Sequence, residues 1–116
     1  MTPTQTTGLS FTANNQSSIK TAVDNAISGL AVAGISGWRL PTLEEMEFLH
    51  DNQDEIIDNL HELSMTTLSL GDSADYFFTK SDGTISSYKI GSGRELSYQD
   101  NKTIVRAVTT LTFKNE

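Results

Sequence analysis

Cysteine is absent from the 116 residues, and with it go a disulfide framework, a thiolate zinc site, a thiol nucleophile and thiol redox chemistry. No apolar run approaches the ~20 residues of a membrane span, so this domain is expected to be soluble and not to insert into a membrane. The opening Met1-Thr2-Pro3-Thr4-Gln5-Thr6-Thr7 lacks the basic and apolar stretches of a signal peptide. A Thr-rich, uncharged start is also what an exported protein keeps once leader and anchor are removed, and residues 1–7 are expected to be flexible. Basic residues are few: eight Lys and Arg face fifteen Asp and Glu, a net charge of −7. None lies between Arg39 and Lys80, while Glu44, Glu45, Glu47, Asp51, Asp54, Glu55, Asp58, Glu62, Asp72 and Asp75 all fall in that gap. Phosphate neutralisation supplies most non-specific nucleic-acid affinity, so nucleic acid, anionic membranes and sulfated glycans are disfavoured partners.

What is present fits one domain over 1–116, a length that buries about two-thirds of the unfolded surface without staples. Ile19, Ala22, Val23, Ala26, Ile27 and Leu30 recur at helical spacing, which predicts a helix over 18–30 capped by Ser17 or Ser18. A second helix is expected over 43–51, with its period continuing through 53–63 and Asn52 as a break. Leu43, Met46, Leu49, Ile56, Ile57, Leu60 and Leu63 can face inward, leaving Glu47, Asp51, Glu55, Asp58 and Glu62 as an acidic outer stripe. That stripe reads as a solvated face, with a docking face for a basic partner as the sharper alternative.

The second half reads as sheet. Tyr76 to Thr79 and Thr84 to Ile90 flank an Asp82-Gly83 turn, a hairpin pattern. Residues 103–113 predict the longest strand, central in its first half because Ile104, Val105, Ala107 and Val108 are apolar on both sides of the period. Residues 8–12 are a short strand candidate that pairs with it. The expected fold class is therefore α+β, two or three helices on a small, mainly antiparallel sheet.

Between the helices stands Gly37-Trp38-Arg39-Leu40-Pro41-Thr42-Leu43-Glu44-Glu45, a strand-to-helix corner. Pro41 keeps Leu40 extended, Thr42 can cap the helix, and Glu45 three residues on completes a capping box. Trp38 reads as the largest apolar anchor of the core, with truncation to Ala expected to cost roughly 3 to 5 kcal/mol. Arg39 and Arg106 alternate with apolar strand residues and read as structural donors to carbonyls or a carboxylate.

The corner, the aromatic run Tyr76-Phe77-Phe78-Thr79 and the closing Val105-Arg106-Ala107-Val108 together resemble bacterial extracytoplasmic domains of the collagen-like-protein C-terminal and Fibrobacter major paralogous type. Ala107 stands where that group often has Pro, and Tyr76-Phe77 replaces a more usual Tyr-Trp. The resemblance implies a C-type-lectin-like fold and a bacterial surface or periplasmic location. It also implies lipid anchoring of the full-length protein, as in conjugative-transposon lipoproteins. Trp38, Arg39, Pro41, Thr42, Glu45 and Arg106 are its structural motif.

Chemistry-bearing patterns are sparse. His50 and His61 lack partners at metal-ligand spacing, no Gly-x-Ser-x-Gly occurs, and Asp72, Asp75, Asp82, Glu95 and Asp100 read as turn residues rather than an EF-hand. Neither an enzyme, a metal site nor a cofactor is expected. An oxidase of the formylglycine-generating type, which shares the Trp-Arg-Leu-Pro-Thr run, requires the missing cysteines. The expected function is a monomeric, non-catalytic binding or assembly module for an unidentified protein or carbohydrate. The alternative is a structural accessory of a conjugative-transfer or envelope apparatus that binds protein through its acidic helix. The expected contacts are Arg94 and Tyr98, in the Gly-rich segment 91–101, which reads as a loop.

Overall fold

The computed structural model describes residues 1–2, 4–12, 15–30, 37–68, 70, 74–96 and 103–109. Along the chain run α1 (Gln16–Leu30), α2 (Leu43–Asp51), α3 (Gln53–Glu62), β1 (Tyr76–Thr79), β2 (Ile85–Lys89) and β3 (Arg94–Leu96). The strands form an antiparallel sheet in the order β1-β2-β3. The α+β class is as read from the chain.

Each helix begins where the side-chain chemistry allows. Asn15, rather than either serine, caps α1: its Oδ1 accepts from Ser18 N at 3.1 Å and its carbonyl from Ile19 N at 3.0 Å. Gln16 then docks the helix on the sheet edge, its amide accepting from Ile85 N at 2.8 Å and donating to Ile85 O at 3.1 Å. Asn52 separates α2 from α3, and its side chain turns back to the Phe48 carbonyl at 2.9 Å. Leu63, expected to face inward, is 64% exposed, because α3 has ended at Glu62 and Ser64 takes a positive φ of 57° that turns the chain away.

The sheet is covered on both faces along β1 and β2, so β1 reads as an unbroken aromatic run rather than an alternating one. Phe77 and Ile85 meet Ile19, Val23 and Leu30 of α1, together with Leu40 and Val105. Tyr76, Phe78 and Tyr88 point the other way, onto Met46, Leu49 and Leu60 of α2 and α3. The register Phe78 opposite Ser86 and Tyr76 opposite Tyr88 sets one face, and Phe77 opposite Ser87 the other. The β1–β2 turn closes with Lys80 N to Thr84 O at 2.8 Å and Gly83 at φ 88°, where a Cβ would be strained.

The expected long central strand over 103–113 is corrected in its described part: β2 is central, and residues 103–109 make only isolated bridges. One edge of this buried segment bonds the N-terminal stretch, Val105 to Thr6 and Ala107 to Thr2. The other edge bonds β1 through Ile104 and then Arg39 through Val108. Successive backbone groups point to opposite sides, and each neighbour stays alongside for only one or two residues, so no ladder builds up. Residues 2 and 6 thus occupy the place expected of 8–12. Thr2, in the stretch expected to be flexible, is fully buried. Segment 94–96, expected to be loop, is strand β3. Leu111 and Phe113 lie outside the described residues. No helix among the described residues is long and apolar enough to cross a membrane.

Candidate functional site

The corner carries α2 into position. Thr42 Oγ1 accepts from Glu45 N at 3.3 Å and Glu45 Oε1 accepts from Thr42 N at 2.9 Å, the reciprocal pair its sequence announces. Arg39 adds a fork, Nη1 to Oε1 at 2.6 Å and Nη2 to Oε2 at 3.2 Å. These bonds, chiefly that from Arg39, hold the Glu45 carboxyl below the usual carboxylate range. A depressed carboxyl contributes stability above its unfolded value of about 4.3, and that contribution disappears as pH falls through the lower folded value. Acid melts of the wild type should therefore lose midpoint faster below about pH 4.3 than those of Glu45→Gln. Parallel acid limbs would show that the fork contributes nothing.

Trp38 is not the core anchor expected of it. It is half-buried and lines a groove beside α1 with Val23, Asp24, Ile27 and Arg39. Its Nε1 is buried with no partner among the described residues. Removing an unmet donor offsets lost contact area, so Trp38→Phe should move the denaturation midpoint by less than about 1 kcal/mol equivalent, and Trp38→Ala should cost less than the 3–5 kcal/mol of a core truncation. A loss above that range for Trp38→Ala would restore the indole to the core.

Arg106 fulfils its structural reading and is 2% exposed. Its Nε donates to Thr2 O at 2.8 Å, and Nη1 donates to Gln5 Oε1 at 3.3 Å and to the Thr66 carbonyl. Burial lowers its pKa. A void of about 10 Å³, the size of one water, lies against it among Met46, Leu49, Tyr76 and Ile90.

A site with room for a ligand lies on the other side of α2, in a groove of about 380 Å³ between that helix and strands β2 and β3. One wall is Leu43, Glu47, His50 and Asp51, positions that a helix brings to one face. The opposite wall is Glu95, the cross-strand neighbour of Tyr88. Through Leu43 and Glu95 it continues into a second hollow of about 500 Å³ beside Phe78 and Lys80. The β2–β3 turn is clamped to α2 by His50, whose Nδ1–H donates to Ile90 O at 2.7 Å. Gly93, at φ 71°, lies so close that a Cβ would come within 2.9 Å of that imidazole. The helix and turn are thereby held at a fixed separation.

Tyr88 forms the base. It is 3% exposed, and its ring meets Phe78 edge-on at 6.1 Å. Burial first, then the nearby Glu47, Asp51 and Glu95 carboxylates, raise its pKa. Glu95 has an ion pair at its far end, with Lys80 at 3.8 Å, and both side chains are about two-fifths exposed, so the pair is weak. No cluster of three metal-ligating side chains occurs among the described residues.

Arg94 is exposed on β3 and, next to Glu95, points to the opposite side of the strand from the groove. It forms no ion pair among the described residues. Tyr98, Asp72 and Asp100 lie outside the described residues. Asp75 pairs with Lys89 at 3.4 Å, and Asp82 caps its own turn through Thr84. Reading from the chain missed the groove because its walls come from elements more than thirty residues apart. The signal available was the side-by-side spacing of Leu43, Glu47, His50 and Asp51 on one helix face.

What the fold and this site define is a class: an α+β domain with a sheet covered on both faces and an acidic groove against one helix. Comparison with family models, curated proteins and solved structures finds no match in any of the three.

Proposed function

We propose that this chain is a non-catalytic binding or assembly module of a bacterial surface protein, extracytoplasmic and lipid-anchored in its full-length form. The observation that carries the binding role is the groove between α2 and the β2–β3 hairpin, rigidly walled yet with polar groups left free for a ligand. The surface location rests on the resemblance of the Trp38 corner, the aromatic run and the Val105-Arg106 segment to lectin-like extracytoplasmic domains. The acidic wall on α2 favours a protein partner over carbohydrate. It also supports the second reading, an accessory of an envelope or conjugative-transfer apparatus.

The chain has no cysteine, so one introduced thiol is a unique attachment point. Ser92→Cys, in the exposed turn beside the groove, and Thr21→Cys, on the exposed face of α1, would each carry a photo-crosslinker into a bacterial surface extract. A discrete adduct formed from position 92, absent from position 21 and competed by unlabelled protein, is the expected result. Equal adducts from both positions, or none, would overturn the reading.

A further inference from the structure

We infer that a halide ion binds against the Arg106 guanidinium, in the small cavity which that residue lines beneath α2. The inference goes beyond the binding-module reading and does not depend on it. Arg106 is 2% exposed and carries a full positive charge. Its Nε and Nη1 are taken up by Thr2, Gln5 and Thr66. Its Nη2 is buried with no hydrogen-bond partner among the described residues, and no carboxylate among them pairs with the guanidinium. Burying a charge is costly unless it is paired, and buried N–H groups are seldom left unmet. Burial already lowers the pKa of this group, as expected of a charge short of compensation. The cavity of about 10 Å³ against Arg106 is where an anion could meet both needs.

The walls decide which ligand fits. Met46, Leu49, Leu68 and Ile90 are apolar, and the Tyr76 hydroxyl donates its proton to Gln5 Oε1 at 2.7 Å. A water could accept from Nη2, but it brings two protons of its own, and among these lining side chains only the Tyr76 oxygen is a strong acceptor. A halide brings no proton. It supplies the opposite charge, accepts a charge-assisted N–H bond and tolerates apolar contact on its other sides. Size excludes the alternatives, since a cavity of one water's volume cannot seat a carboxylate, sulfate or phosphate group. With Nη2 engaged, the guanidinium would use all three of its nitrogens, tying the N-terminal stretch, the chain after α3 and residues 103–109 around one centre.

The test is thermal melting of the full chain in sodium methanesulfonate, whose anion is too large for the cavity, with sodium chloride substituted at constant ionic strength. Chloride should raise the melting temperature along a saturating curve, by roughly 2–6 °C over about 0.3 M, the size of a one-site effect at several times Kd. Bromide should act likewise. Val108→Ile adds one methyl group at the cavity wall without touching the guanidinium, so it should fold and lose the chloride effect. Arg106→Met should lose it too, but gives up the ties to Thr2 and Thr66 as well, so Val108→Ile is the cleaner variant. Crystals grown in bromide locate the ion directly, with an anomalous peak expected within hydrogen-bond distance of Nη2. Equal melting temperatures in the two salts, a chloride effect that survives in Val108→Ile, or bromide peaks on the surface alone would each overturn the assignment.

Discussion

Phe77→Ala should destabilise the fold by about 3–5 kcal/mol, more than any other single truncation considered. The ring is fully buried in the layer between the sheet and α1, against Ile19, Val23, Leu40, Ile85 and Val105. It meets Phe11 edge-on at 5.8 Å. Because α1, the corner, β2 and the closing segment all contribute to this one site, no single neighbour can move in without losing its own contacts. The cavity then persists, and its cost adds to the lost transfer energy. Against a total stability of about 5–15 kcal/mol for a domain of this size, the variant should be marginally folded at ambient temperature. Urea denaturation decides it. Phe11→Leu, at a half-buried position, is the companion variant and should lose much less. Similar midpoints for the two would place the packing load elsewhere than this layer.

Arg106→Met should cost about 2–4 kcal/mol, although it removes a buried charge that has no carboxylate partner among the described residues. Two effects oppose each other. Relief of charge burial favours methionine, since burial already lowers this guanidinium's pKa. Against it, the carbonyls of Thr2 and Thr66 lose their donor at once, and Thr2 is fully buried. Neither carbonyl belongs to a helix or strand, so no backbone donor stands ready to replace the arginine, and the loss prevails. Arg106→Lys should recover little, because one ammonium cannot reach acceptors on two segments in a fixed fork. Hydrogen exchange gives the local readout: protection at Thr2 and Thr6, whose amides bond Ala107 and Val105, should fall before that of β2. A raised midpoint in Arg106→Met would show that charge burial outweighs the ties.

Much of this fold was legible in the chain because it depends on near neighbours. The capping box at Thr42 and Glu45, the break at Asn52 and the hairpin around Asp82-Gly83 are each written within a few residues, and each is found in place. The Arg106 role was legible for a related reason: an arginine alternating with apolar strand residues has few options but to bond carbonyls. Trp38 was misjudged because a large apolar side chain announces its preference for burial but not whether a layer exists to receive it. The layer beside it is filled by Phe77 and α1.

The chain by itself determined the helices, the hairpin and the α+β class, since capping, turn chemistry and hydrophobic period act over four or five residues. Only tertiary packing decided that residues 103–109 would serve two neighbours by single bridges instead of one by a ladder, and that Thr2 and Thr6 would be those neighbours on one edge. Tertiary packing likewise divided the acidic stripe, all of it exposed: Glu47 and Asp51 line a groove with Tyr88 and Glu95, while Glu55, Asp58 and Glu62 lie along α3 outside it. The physical reason is common to all three. Which strand edge finds a partner, and which carboxylates line a groove, depends on how layers stack around Phe77 and Phe78, and that is set by the whole core at once rather than by any local run of residues.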